Sequence, residues 1–352
     1  MPDLEYSYNQ SASLQYKSAQ KLFSLANKNC PQDIFTNYSG FNVLDIGCGT
    51  GFLLDTAINA QLPISQFVGI DKSQKMVNFC KQKFAHLPDN YFNTSPICQS
   101  NNVNIFFKQA DAKCIDELVK LNIWGGTNLF LCNFAMHWFK NIDAWLMGLI
   151  NNISSGSFAL IAVPINGSLE EVKNTNDIIT LFCKNEKSFY KNTANAGLSK
   201  IDLCNFLKPI SKMRIADFPN CDNIKNTLTK AKNICNVKFF HTQVLKQKFK
   251  TPIEAIKSLK LSGNSFPETQ YNAAEMLNFL RFYSIQSWNQ INQKVNNNCQ
   301  QLNVKQFKDV KSLNLKTLLS HLESVSSTPF SLSISYNVLF FGIQKLTEST
   351  KL

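Results

Sequence analysis

The segment Asn42-Val-Leu-Asp-Ile-Gly-Cys-Gly-Thr-Gly51 constrains this chain more than any other stretch, because an apolar run passes directly into three glycines at alternate positions. Val43, Leu44 and Ile46 suit a parallel strand buried on both faces. Gly47, Gly49 and Gly51 let the backbone approach a ligand with no Cβ atom in the way, and Phe52, Leu53 and Leu54 open a helical pattern. Strand, glycine turn and helix together predict a nucleotide-binding turn in a doubly wound α/β sheet. The nicotinamide fingerprint G-x-G-x-x-G would put its third glycine at position 52, where Phe52 stands, so the turn is of another kind.

A second apolar run, residues 67–70, ends in Asp71, twenty residues past Gly51. A carboxylate at a strand end can accept both hydroxyls of a ribose, so Asp71 is the expected ribose ligand. Lys72, Ser73 and Met76 begin the next helix, where an adenine can rest on apolar side chains. A third run, residues 103–110, leads to Asp111 and Ala112. One such acid alone would as readily cap a helix; three in order after the turn argue for a cofactor site. The pattern D-x-G-x-G-x-G resembles motif I of the class I S-adenosylmethionine (SAM) dependent methyltransferases. That resemblance implies SAM as methyl donor, with Asp45, Gly47, Cys48, Gly49 and Gly51 facing its methionine part and Asp111 and Ala112 its adenine. Cys48 would act there through its backbone.

Composition bounds the rest. The 352 residues are 44% hydrophobic and 17% charged, which is globular rather than disordered. Lys and Arg number 36 against 24 acids, a formal +12, yet only Arg214 and Arg281 are arginines. Lysine gives a diffuse positive field, whereas bidentate reading of bases or phosphates usually calls on arginine. An acidic protein partner fits as well as nucleic acid, and an AT-rich coding bias explains the same excess. Eleven cysteines include no C-x-x-C pair and only four histidines occur, so no metal site is expected and the thiols should be reduced. No basic segment followed by an apolar stretch opens the chain, and no apolar run approaches spanning length, which predicts a cytoplasmic protein without membrane attachment.

Strands are expected near residues 43–46, 67–70, 105–108, 128–133 and 158–163, with helices between them. This alternation predicts an α/β fold of the class I SAM methyltransferase, Rossmann-like type: a mostly parallel sheet with helices on both faces, plus an inserted helical cap. The expected divisions are an N-terminal lid over 1–36, the SAM-binding core over 37–165, a cap or substrate region over 166–236, and a C-terminal completion of the sheet over 237–352. Strand patterns at 237–249 and 331–344 and helical ones at 252–260 and 271–295 fall in the last division.

Four further segments narrow the resemblance. Residues 8–15, Cys132-Asn-Phe-Ala-Met-His-Trp138, Asn166-Gly-Ser-Leu169 and Ala255-Ile-Lys-Ser-Leu-Lys-Leu-Ser-Gly263, with the closing Tyr336-Asn-Val-Leu-Phe-Phe-Gly342, resemble the malonyl-acyl-carrier-protein O-methyltransferases of biotin synthesis. His137 stands where that family usually has Gln, and the chain is longer near 180–235 and 264–328. The resemblance implies methyl transfer to the free carboxylate of a malonyl thioester on the acidic acyl carrier protein. It also implies that Tyr8 and Gln15 lie on a segment that closes over the cofactor, Tyr8 toward the substrate and Gln15 toward SAM. Asn133, His137 and Trp138 fall where strand four ends, Asn133 toward the cofactor, His137 and Trp138 toward the acceptor. A carboxylate is already ionised at neutral pH, so no general base is required. Two alternatives remain: a methyltransferase for another small acid or a quinone, and an RNA-binding methyltransferase-like protein. The second lacks support from Asn133-Phe-Ala-Met, which is not the Asn-Pro-Pro-Tyr motif of base-modifying enzymes.

Overall fold

Val43, Leu44 and Ile46 lie in β1 (Phe41–Ile46), a strand whose residues are almost all buried because parallel neighbours flank it on both sides. The computed structural model describes residues 12–30, 40–85, 103–113, 115–120, 126–170, 217–249, 258 and 332–347. Before β1 comes α1 (Ser13–Asn29). After it follow α2 (Phe52–Asn59), β2 (Ile64–Asp71), α3 (Gln74–Lys83), β3 (Asn104–Gln109), α4 (Ile115–Lys120) and β4 (Leu129–Asn133). Then come a 3-10 turn (Met136–Trp138), α5 (Ile142–Asn152), β5 (Phe158–Pro164), α6 (Cys221–Lys230), β6 (Cys235–Phe249) and β7 (Leu332–Lys345).

These seven strands form one sheet in the order β3-β2-β1-β4-β5-β7-β6. β1 through β5 pair in parallel, and β7 runs antiparallel to β5 with Ile161 opposite Phe341. The order reverses between β1 and β4, the switch point where open α/β sheets bind ligands at their carboxyl ends.

Side chains alternate across the strands, so each face has its own core. Leu44, Ile46, Ile70, Phe130, Ile161 and Phe341 share one cluster with Trp145, Leu146 and Leu149 of α5 and Ile224 and Leu228 of α6. Val43, Phe67, Leu131, Leu160 and Phe340 are equally buried and point the other way, toward the face where α1 packs on α2, β4 and β5. Truncating one such fully buried leucine to Ala costs about 2–5 kcal/mol. β3 is one of the two edge strands, with Phe106 at 54% exposure.

The chain divides into two compact units, Met1–Ser168 with Asp217–Leu245 and Tyr336–Leu352, and Leu169–Ala216 with Lys246–Ser335. The sequence placed residues 217–236 in the cap region; α6 instead belongs to the sheet unit, since Ile224 and Leu228 fill its core. Residues 171–216, 252–257 and 271–295 lie outside the described residues, as do the cap and the long helix expected there. No helix among the described residues is long and apolar enough to cross a membrane.

Candidate functional site

The glycine turn leaves β1 at the switch point. Backbone N–H groups of Gly47 and Cys48 both donate to the Ile70 carbonyl of β2 at 2.9 Å, and Gly51 closes the turn onto the Cys48 carbonyl at 2.8 Å. All three glycines have positive φ. Two of them matter for what the turn touches. A Cβ on Gly47 would lie 2.4 Å from the Ala135 Cβ, so this residue is small because the turn after β4 rests on it. A Cβ on Gly49 would meet no atom of the described residues within 4 Å, so the open side of the turn is here. Behind it, the Lys83 ammonium donates to the Thr50 carbonyl at 3.0 Å and pairs with Asp55, fixing α3 to the turn.

Asp71 ends β2 beside this opening. Its Oδ2 accepts the Gly49 N–H at 3.0 Å and its Oδ1 the Ser73 N–H at 2.8 Å. Ser73, not Asp71, caps α3, its hydroxyl accepting from the Met76 N–H at 3.4 Å. Asp71 is therefore turned toward the glycine turn, and each carboxylate oxygen keeps a lone pair for a ligand hydroxyl. Burial raises its pKa, against the lowering effect of those two N–H groups and Lys72.

Asp45 is fully buried and neither carboxylate oxygen has a hydrogen-bond partner among the described residues. Burial pushes its carboxyl well above the usual range, and the neighbouring Asp71 charge adds to this. The buried hydroxyl of Thr50 is likewise without a partner. Two buried polar groups awaiting hydrogen bonds, beside a glycine open to space and an acid with spare lone pairs, fit a polar cofactor such as SAM. Cys48 is buried; its hydrogen bond with Cys80 and its burial raise the thiol pKa, which leaves it a turn residue rather than a nucleophile.

Lys72 is exposed, with its ammonium 5.9 Å from the centre of the Trp138 ring. Trp138 is 38% exposed, while His137 is buried. Phe134 follows β4 at φ 56°, a left-handed conformation that turns the chain into the 3-10 segment. Its ring meets Tyr336 at 5.6 Å and His137 at 6.4 Å; Phe218 meets His137 at 5.7 Å and Tyr336 at 6.2 Å. The end of β4 thus carries an aromatic wall with one exposed indole and one cation.

The remaining expected residues are placed as follows. Met76 is half-buried on the first turn of α3. Asp111 is exposed, accepts the Lys113 N–H at 3.1 Å and pairs with the Lys113 ammonium at 3.6 Å. Ala112 is buried, and its carbonyl accepts the Trp145 indole N–H at 2.7 Å, so this group faces α5. Asn133 is engaged by α1 at both ends of its amide: Oδ1 accepts from Ser18 at 2.7 Å and Nδ2 donates to the Gln15 carbonyl at 2.9 Å. The Gln15 side chain is buried. Tyr8 lies outside the described residues, and among them no group of His, Cys, Asp or Glu could hold a metal ion. Sequence reasoning missed Ser18, Lys83 and Phe218. Only Ser18 carried a signal, a small polar residue one turn past Gln15 on the apolar face of α1.

A strand order of 3-2-1-4-5-7-6 with a glycine turn and a strand-end acid at the switch point defines a class I SAM-dependent methyltransferase. A family model described as a methyltransferase domain matches residues 37–315, and the chain belongs to that family. No curated protein matches the sequence significantly. Similar solved structures include the YcgJ protein of Bacillus subtilis, 11% identical over 93% of this chain and 98% of that chain, with a TM-score of 0.45. The plantazolicin methyltransferase BpumL, solved with SAH, is 13% identical over 97% and 88% of the two chains, with a TM-score of 0.37. The plantazolicin methyltransferase BamL, solved with SAH and a triazolic desmethylPZN analog, is 16% identical over 98% and 100%, with a TM-score of 0.37.

Proposed function

We propose that this methyltransferase transfers the SAM methyl group to the free carboxylate of a malonyl thioester held on acyl carrier protein, giving the methyl ester used in pimelate and biotin synthesis. The observation that carries this reading is the Lys72 ammonium set over the exposed Trp138 ring at the end of β4, a cation at an apolar mouth suited to draw in a carboxylate. SAM supplies the electrophilic methyl on its sulfonium. With SAM bound, a carboxylate oxygen would take up the methyl carbon as the C–S bond breaks, so that a carboxylate and a sulfonium would give a neutral ester and a neutral thioether. The wall of Phe134, His137, Trp138, Phe218 and Tyr336 favours such neutralisation, because an apolar surround destabilises the separated charges more than the products. No proton moves, so none of these residues is needed as a base; their work is alignment and exclusion of water.

In this reading the spare lone pairs of Asp71 receive the ribose hydroxyls, Gly47 to Gly51 meet the methionine part, and Met76 with Asp111 borders the adenine. The lysine-rich surface suits an acidic carrier, and the likenesses at residues 132–138, 166–169 and 336–342 point the same way. Cytoplasmic location belongs to this reading too.

A second reading rests on the same aromatic wall, which would also accept a flat ring such as a quinone. Incubation with methyl-labelled SAM and, separately, malonyl-acyl carrier protein, malonyl-CoA, a small diacid, a quinol and bulk RNA distinguishes these. Label on the carrier-bound malonyl group, more than on the CoA ester, and weakened by added salt, is the expected result. Label in the quinol, the free diacid or RNA would replace the malonyl reading.

A further inference from the structure

We propose that Asn133 is a positioning residue that ties α1 to the glycine turn, so that the first turn of α1 and the cofactor site order together. The link runs along two routes. On one, Asn133 holds the Gln15 carbonyl and the Ser18 hydroxyl, 118 and 115 residues away in sequence. The chain then passes through Phe134, whose N–H is held by the Ala162 carbonyl at 2.9 Å, to Ala135, which fills the space a Cβ on Gly47 would need. On the other, the Tyr16 ring packs against Phe52 at 5.7 Å, directly past Gly51, and its hydroxyl accepts from the Asn59 amide at 3.3 Å. The first turn of α1 therefore reaches the residues on both sides of the glycine turn.

That turn has little local support. Among the described residues, Ala12 provides no capping side chain and the first turn carries no acid, two of the ordinary devices that start a helix. Two part-buried hydrogen bonds with Asn133 hold the turn to β4, Ser18 donating to the amide oxygen and the amide nitrogen donating to the Gln15 carbonyl, and Ser18 itself is at 0% exposure. A helix start held by a residue of the cofactor platform gains order whenever that platform does.

The inference rests on SAM as cofactor but on no particular acceptor, and its test uses none. SAM affinity is measured by calorimetry for the full chain and for Ser18→Ala, Asn133→Ala and the double variant, with thermal melting to confirm that each is folded. Hydrogen exchange of the amides of residues 14–19 is followed with and without SAM. Both single variants should bind SAM about three- to tenfold more weakly, and the double variant no more weakly than the worse single, because both remove one link. In the wild type SAM should slow exchange over residues 14–19, and in the variants that slowing should vanish. Additive losses, wild-type affinity in Ser18→Ala, or exchange over residues 14–19 unmoved by SAM would overturn the proposal. A large loss in Asn133→Ala with none in Ser18→Ala would instead make Asn133 a direct cofactor ligand. If wild-type protein bound no SAM, the cofactor assignment itself would fail, whereas failure of the malonyl assay leaves this test untouched.

Discussion

Asp71 Oδ2 accepts the backbone N–H of Gly49 at 3.0 Å, so the acid that ends β2 and the glycine turn that follows β1 are one hydrogen-bonded unit. Neither can be altered without moving the other.

Asp71→Ala should therefore weaken SAM binding by more than tenfold, since it removes the ribose acceptor and releases the Gly49 N–H together. Calorimetric titration measures this, and unchanged affinity would take Asp71 out of the site. Asp71→Asn should retain part of the loss, because one amide end can no longer accept.

Gly49→Val and Gly47→Ala should fail in different ways. At Gly49 the protein leaves room, so the branched side chain should mainly block SAM, with a backbone penalty of about 1–2 kcal/mol from its positive φ. At Gly47 the added methyl meets Ala135, so stability should drop as well. Melting curves with and without SAM separate the two outcomes; equal melting loss in both variants would contradict the geometry.

Asp45 gives a pH prediction. Its folded pKa is raised, chiefly by burial and then by the Asp71 charge. Between the ordinary carboxylate value of about 4 and that raised value, the folded state holds a proton the unfolded state has released. Stability must then fall as pH rises through this window. Asp45→Asn cannot ionise, so without SAM it should melt above wild type at pH 7. The gap should close toward pH 4. A gap independent of pH would show that Asp45 is not carrying this charge.

Lys72→Glu reverses the cation set over Trp138. With malonyl-acyl carrier protein its KM should rise about tenfold or more while SAM affinity stays within threefold, as expected for a charge-assisted contact of about 1.5–3 kcal/mol to the acceptor. Equal losses in both would move Lys72 to the cofactor side.

The strands were legible in the sequence because a strand buried on both faces needs an unbroken apolar run, and β1, β2, β4 and β5 each have one. Asp71 was legible for a related reason, an acid standing where such a run stops. What periodicity cannot carry is pairing at a distance. Asn133 was expected at the cofactor from its place at the end of β4; that its amide also joins Ser18 and Gln15 is a match that only the packing of α1 on β4 creates. Nor does periodicity show that the carbonyl of Ala112, expected beside the adenine, accepts the Trp145 indole N–H in the core under α5. The left-handed turn at Phe134 had no glycine to announce it. α6 fell inside the region expected as a cap, 166–236; two apolar positions, Ile224 and Leu228, decide its place in the sheet unit.

The place of β7 between β5 and β6 governs when this sheet can be finished. β5, whose seven residues are all buried in the native state, gains its last neighbour only after the ribosome has made residues 332–345. Until then β5 presents an open, apolar edge, and β6 waits with no strand to join it to the rest. Nascent chains of this protein should depend on chaperones until residues 332–345 have been made, because an unpaired apolar strand is a template for the wrong partner.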